Sequence, residues 1–236
     1  HQGEKGLVPL DRHPERTRFA DLIAAYDPAL QSWPLVSPAV EDAPHAPWWS
    51  HDGLADRFGS FAVNPRAEVL GYLFEFADET DTAALTLREQ LAPMVTKDLL
   101  ARTDTLALND FLCCQRLVES PGLPDVIAVE LQRWLLRMAE GAVATDPSEW
   151  GGYALQPLQV APNRTAPLGI PLSHLLPENL DFVIQSQGAD GSWSPPWSWA
   201  DQHPTVWPQA ERDWRGVLTL ERLEWLHAYD RIEPQS

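Results

Sequence analysis

Apolar residues recur along the chain at three- and four-residue intervals, in runs separated by proline-rich stretches, and two-residue alternation is nowhere sustained. The first run, Phe19, Leu22, Ile23 and Tyr26, stops at Pro28 and predicts a short helix. Asn64 followed by Pro65 opens a second, whose Val69, Leu70, Leu73, Phe74 and Ala77 share one face as far as Asp78. A third spans Thr82 to Leu100, with Leu87, Leu91, Met94, Val95 and Leu99 as its apolar stripe. Asp104 or Thr105 caps a fourth, which carries Leu108, Phe111 and Leu112 inward and closes at the ESPG of residues 119–122. The fifth runs from Pro124 to Gly141, and the sixth from His174 to Gln187. The seventh carries Trp214, Val217, Leu218, Leu223 and Leu226. Helices with short joins predict an all-α fold of antiparallel pairs, with any sheet a minor accessory.

Between the runs lie three loops, at 33–61, 149–173 and 187–208, and they hold most of the aromatic excess. The sequence contains 11 Trp and 22 Pro in 236 residues, and that proline share is roughly twice the usual value of about 5%. Proline at 34, 38, 44 and 47 rules out a long helix in the first loop. A loop of that length calls for a function or for internal packing.

Composition narrows the partners. Seventeen Lys plus Arg against 34 Asp plus Glu leave a formal charge of -17. That charge repels nucleic acid and anionic membrane surfaces alike. Hydrophobic residues at 44% suffice for a globular core, and the length fits one domain over residues 1–236. Adjacent Cys113 and Cys114 sit in an apolar run, diverge too far for a useful bridge and match no zinc spacing. Buried thiols and a reducing, cytoplasmic setting are expected. No stretch approaches about 18 uncharged apolar residues, so no bilayer span is expected, and the first thirty residues lack a signal pattern. The sequence has no glycine-rich phosphate loop, dinucleotide fingerprint or G-x-S-x-G elbow, and no cofactor is expected. Asn163, Arg164 and Thr165 spell a glycosylation acceptor that would matter only in a secretory protein.

Gln187, Gly191 and Trp193 in QGADGSW match the Q-x-x-x-G-x-W core of the QW motif. In this the chain resembles triterpene cyclases and the β subunits of protein prenyltransferases. The resemblance implies an α/α toroid in which the motif ties adjacent helices together at a helix end, a structural role before a chemical one. A closed toroid of twelve helices at about 11 residues each would take roughly 130 residues, yet periodicity defines only seven. Either short helices lie inside the proline-rich stretches, or the array is incomplete and lacks material before His1. Protonating terpene cyclases also carry an Asp-x-Asp-Asp-Thr-Ala run. Here DETDTA matches it at Asp78, Asp81, Thr82 and Ala83, but Thr80 stands where the acid should be. A solvated turn with an N-cap explains the same residues.

Chemistry is better sought in the aromatic loops. His45, His51 and Asp52 are the candidate catalytic residues, with Trp48 and Trp49 beside them as a wall for a carbocation or a sugar ring. Asp190, Trp197, Trp199, Asp201, His203 and Trp207 form a second substrate-binding candidate. No H-x-x-x-H or H-E-x-x-H spacing occurs, and no metal site is expected. Three functions compete for these residues. One is an isoprenoid-binding cyclase or isomerase using acid catalysis in an aromatic cavity. Another is a glycan hydrolase or lyase with paired carboxylates. The last is a helical scaffold or binding protein without catalysis. The expected partner is an apolar or carbohydrate small molecule. The two candidate regions form one site only if both loops reach the same mouth of the fold.

Overall fold

The computed structural model describes residues 13–232, with side chains from residue 19 onward. Its α-helical segments are α1 (His13–Ala24), α2 (Leu54–Arg57), α3 (Arg66–Phe76), α4 (Thr82–Leu100), α5 (Leu108–Val118), α6 (Asp125–Ala142), α7 (Pro157–Val160), α8 (Gly169–Leu172), α9 (Leu176–Gln185) and α10 (Trp207–Ala228). The seven long ones correspond to the seven periodic runs. The single turns α2, α7 and α8, with 3-10 turns at Pro38–Asp42, Pro47–Trp49, Gly59–Phe61 and Pro147–Glu149, lie within or beside the first two proline-rich stretches. Proline occupies the first turn of four of these short elements, at 38, 47, 147 and 157. There its fixed φ and missing N–H cost the helix nothing. Among the described residues the only bridges are isolated, Asp27 with Ser32 and Val143 with Leu155, so the fold is all-α.

Helix limits follow local chemistry. The Asp81 carboxylate accepts from Ala84 N at 3.0 Å and starts α4 at the residue the pattern indicates. The fourth run starts later than expected, at Leu108 after an Ala107 N-cap, and Asp104 pairs with Arg102 at 2.7 Å. Leu106, only 3% exposed, anchors the connection in the core.

Helices α3 and α4 form one antiparallel pair, and Arg66 at the start of α3 reaches Asp98 near the end of α4 at 2.7 Å. The pair α5 and α6 stacks on it, with α3 against α5 and α4 against α6. The core of this array holds Leu70, Leu73, Leu91, Phe111, Leu117, Leu131, Trp134 and Leu135, all essentially inaccessible. Each contributes about 1.5–3 kcal/mol by leaving water. Gly71 sits where α3 crosses α5: a Cβ there would lie 3.2 Å from Leu117 Cα and 2.4 Å from Ser120 Oγ.

A second cluster joins α9 to α10 through Leu176, Leu180, Val183, Leu218, Trp225 and Leu226. The α7 turn belongs to both, giving Val160 to the first cluster and Leu158 to the second. It is pinned by Asn179, fully buried on α9, whose Oδ1 accepts from Leu158 N at 3.1 Å while its Nδ2 donates to Gln156 Oε1 at 3.2 Å. Gln156 in turn donates to Trp150 O at 2.9 Å, so the buried amides form a connected chain. No described helix is long and apolar enough to cross a membrane.

Candidate functional site

The first aromatic loop is organised by a residue the sequence reading did not single out. Glu41 Oε1 accepts from Ser50 Oγ at 2.9 Å and from His51 N at 2.6 Å, and its Oε2 lies 3.6 Å from His45 Nε2. The His51 N–H and then the Ser50 hydroxyl hold this carboxyl below its ordinary range. His45 Nδ1–H donates to Ala43 O at 2.7 Å. Arg57 donates to the carbonyls of Asp52 (2.7 Å) and Ser50. Within this frame the Pro47–Trp49 turn sends its two indoles to different neighbours. Trp49 stacks on Phe58, centroids 5.6 Å apart and planes 10° from parallel, whereas Trp48 remains 45% exposed. The side chains of His51 and Asp52 face solvent.

The other loop comes to meet it. Trp48 stands edge-on to Trp199 at 6.0 Å, and Trp199 packs against the buried Trp207 at 5.4 Å. His203 Nε2–H donates to the carbonyl of His45 at 2.8 Å. Thus His45, Trp48, Trp199, His203 and Trp207, drawn from both candidate regions, are brought together. The Trp199 indole N–H, buried here, has no hydrogen-bond partner. Trp197 turns to a second aromatic group, edge-on to Tyr153 at 6.2 Å and to Trp214 at 5.4 Å. Tyr153, 67% exposed, accepts from Asn109 Nδ2 at 2.8 Å through its hydroxyl. The Asp201 carboxylate is exposed beside this loop.

Asp190 has a different position. It accepts from Ser192 Oγ at 2.8 Å and Ser192 N at 3.2 Å and pairs with Arg215 of α10, and these bonds, the Ser192 hydroxyl first, lower its pKa. It therefore belongs to the turn of residues 187–193. Gln187 Nε2 donates to Gly191 O at 2.9 Å, and Gly191 takes φ +82°, which favours glycine. Trp193 is 2% exposed; its indole N–H donates to Val183 O at 2.8 Å and its backbone N–H to Thr219 Oγ1 at 3.2 Å. Trp193 and Asp190 thus tie the turn to α9 and α10, while Gln187 closes the turn on itself.

The DETDTA run is a solvent-facing turn: Asp78 accepts from Thr80 N and Oγ1 at 2.9 and 2.8 Å, and Asp81 caps α4. Cys113 and Cys114 are buried thiols whose pKa values burial raises strongly. Among the described residues no group of three or more His, Cys, Asp or Glu side chains is arranged to hold a metal. Glu41 carried a weak sequence signal, a carboxylate four residues before His45. Tyr153 and Trp214 carried none, because the residues that make them neighbours are distant in sequence.

Fold and site together define an all-α protein of antiparallel helix pairs with aromatic clusters where two long loops converge. Comparison with family models, curated proteins and solved structures finds no match to this chain.

Proposed function

We propose that the protein is a helical binding protein that takes a ring-bearing small molecule, a carbohydrate ahead of an isoprenoid, on the aromatic surface around Trp48 and Trp199. The observation that carries the reading is the convergence of the two loops, Trp48 on Trp199 and His203 on the His45 carbonyl. A sugar needs one apolar face against an aromatic ring and hydrogen-bonding groups at its edge, while its other face stays hydrated. The half-exposed Trp48 indole, in one loop with His45 and Glu41, suits that demand. An isoprenoid chain instead needs most of its surface enclosed, and Trp48 at 45% exposure leaves its ring at the surface.

Catalysis is the less favoured reading. A cyclase or isomerase would need His45, His51 or Asp52 to present a proton inside an enclosed cavity. A glycosidase would need two opposed carboxylates. Glu41 and Asp190 are already engaged in holding their loops. The same proposal takes residues 1–236 as one toroid-like domain, a reading supported by the share of α7 in both hydrophobic clusters.

Titration of tryptophan fluorescence with a panel of oligosaccharides, and separately with isoprenoid alcohols, tests the proposal. Saturable quenching by a sugar, lost in Trp48→Ala with helicity unchanged, is the expected result. Saturation by isoprenoids alone would overturn the carbohydrate reading, and saturation by neither class would overturn the binding site.

A further inference from the structure

The chain contains two Asp-Gly steps, Asp52–Gly53 and Asp190–Gly191, and no Asn-Gly step. Such a step can react with itself: the glycine amide nitrogen attacks the aspartate side-chain carbon, and the absence of a Cβ on glycine leaves that nitrogen open to approach. The fold treats the two steps oppositely. At residue 190 the reacting groups are engaged. The carboxylate accepts from Ser192 N and Oγ and pairs with Arg215, while Gly191 N donates to Gly188 O at 2.9 Å. Ring closure there would have to break these bonds together.

At residue 52 both groups are free. Asp52, Gly53 and Arg57 are exposed, and among the described residues nothing binds the Asp52 carboxylate or the Gly53 N–H. What is bound is the oxygen of the same peptide unit: Arg57 Nη1 donates to Asp52 O at 2.7 Å. That oxygen and the Gly53 nitrogen share one amide. When the nitrogen gives up its proton, amide resonance spreads the negative charge onto the oxygen, where a hydrogen bond from a cation stabilises it most. Arg57 also donates to Ser50 O, which fixes its guanidinium against the turn.

We propose that Asp52–Gly53 is a self-modification site, at which Arg57 promotes closure of a succinimide that reopens to isoaspartate, while Asp190–Gly191 is protected. Gly53 N loses its proton and bonds to Asp52 Cγ as the protonated carboxyl loses its hydroxyl, so one water leaves. Water then adds at the former main-chain carbonyl carbon of Asp52 and breaks its bond to Gly53 N. The mass is unchanged, and the main chain now runs through Cβ and Cγ of residue 52, one atom longer. That atom falls inside the turn that Leu54 N closes on His51 O at 3.2 Å. Beside it are the Glu41 bonds to Ser50 and His51, so the change loosens the loop that presents Trp48.

Ageing the full chain in mildly acidic buffer tests the proposal, with isoaspartate located by peptide mapping and electron-transfer fragmentation, which separates the two isomers. Isoaspartate should accumulate severalfold faster at residue 52 than at residue 190. In guanidinium chloride that unfolds the chain, the two rates should converge. Arg57→Gln should slow residue 52 severalfold in the folded chain, with circular dichroism and the unfolded rate unchanged. No isoaspartate at residue 52, or equal rates at the two steps in the folded chain, overturns the proposal. A rate ratio that persists on unfolding also overturns it, because local sequence and not the fold would then set the difference. A folded rate that Arg57→Gln leaves unchanged or raises overturns the role of Arg57.

Discussion

The indole N–H of Trp193 donates to the backbone carbonyl of Val183 at 2.8 Å, ten residues earlier, and locks the turn that carries the chain from α9 towards α10. The ring itself is 2% exposed and fills the second cluster beside Leu218 and Trp225. Trp193→Phe removes the bond and part of the volume and should cost about 1–3 kcal/mol. Trp193→Ala also leaves a cavity and should cost about 3–5 kcal/mol. Gln187 is exposed and holds only Gly191 O, so Gln187→Ala should cost about 1 kcal/mol or less. Urea unfolding of the three variants checks the order. A Gln187→Ala loss as large as that of Trp193→Ala would contradict it.

Periodicity identified each long helix because its cause is local. In α4 the Asp81 cap and the buried Leu87, Leu91, Val95 and Leu99 are all written within nineteen residues of one another, and both ends fell where the pattern placed them. The start of α5 was missed because Asp104 is a good cap by type, whereas the residue that does precede the helix, Ala107, has no capping side chain. The short helices lay inside stretches where proline argued against helix, although proline in a first turn permits one. Joining His45 to His203 needs a bond across 158 residues, and no local pattern encodes it. The motif residues Gln187, Gly191 and Trp193 were legible because a tight turn requires them within seven positions.

Gly71 should tolerate no side chain. It is buried where α3 meets α5, and a Cβ would come within 2.4 Å of Ser120 Oγ, itself bound to Arg116 O at 2.7 Å. Gly71→Ala should destabilise by about 1–3 kcal/mol, the usual range for overpacking. Adding Ser120→Ala removes the nearer obstacle and leaves Leu117 Cα at 3.2 Å. The double variant should therefore recover part of the loss relative to the sum of the single changes, a coupling that a double-mutant cycle in urea measures.

Asn179 offers a test of the link between the two clusters. Replacement by the near-isosteric Leu leaves Leu158 N–H and Gln156 Oε1 without their present partners in a buried site. Each orphaned group costs about 1–3 kcal/mol, so a loss of about 2–6 kcal/mol is expected. Because α7 contributes to both clusters, amide hydrogen exchange should quicken across Gln156–Ala161 first. Exchange unchanged in that segment would show that its position does not depend on Asn179.

Asp110, in the first turn of α5, separates the effects of burial and charge on acid stability. Burial raises its carboxyl pKa, a rise opposed by Arg102 and assisted by Asp104. The folded protein therefore binds this proton more tightly than the unfolded chain does. The contribution favours folding below the unfolded carboxyl pKa and is lost as pH rises through the folded value. Glu41 and Asp190, whose values are lowered, act in the opposite sense and lose their contribution as pH falls. Asp110→Asn removes the part-buried charge while keeping the shape, so it should raise the urea midpoint at about pH 7 and approach the parent at about pH 3, where the carboxyl is protonated in both states. Equal midpoints at neutral pH, or a variant that gains relative to the parent on acidification, would show that burial does not govern this group.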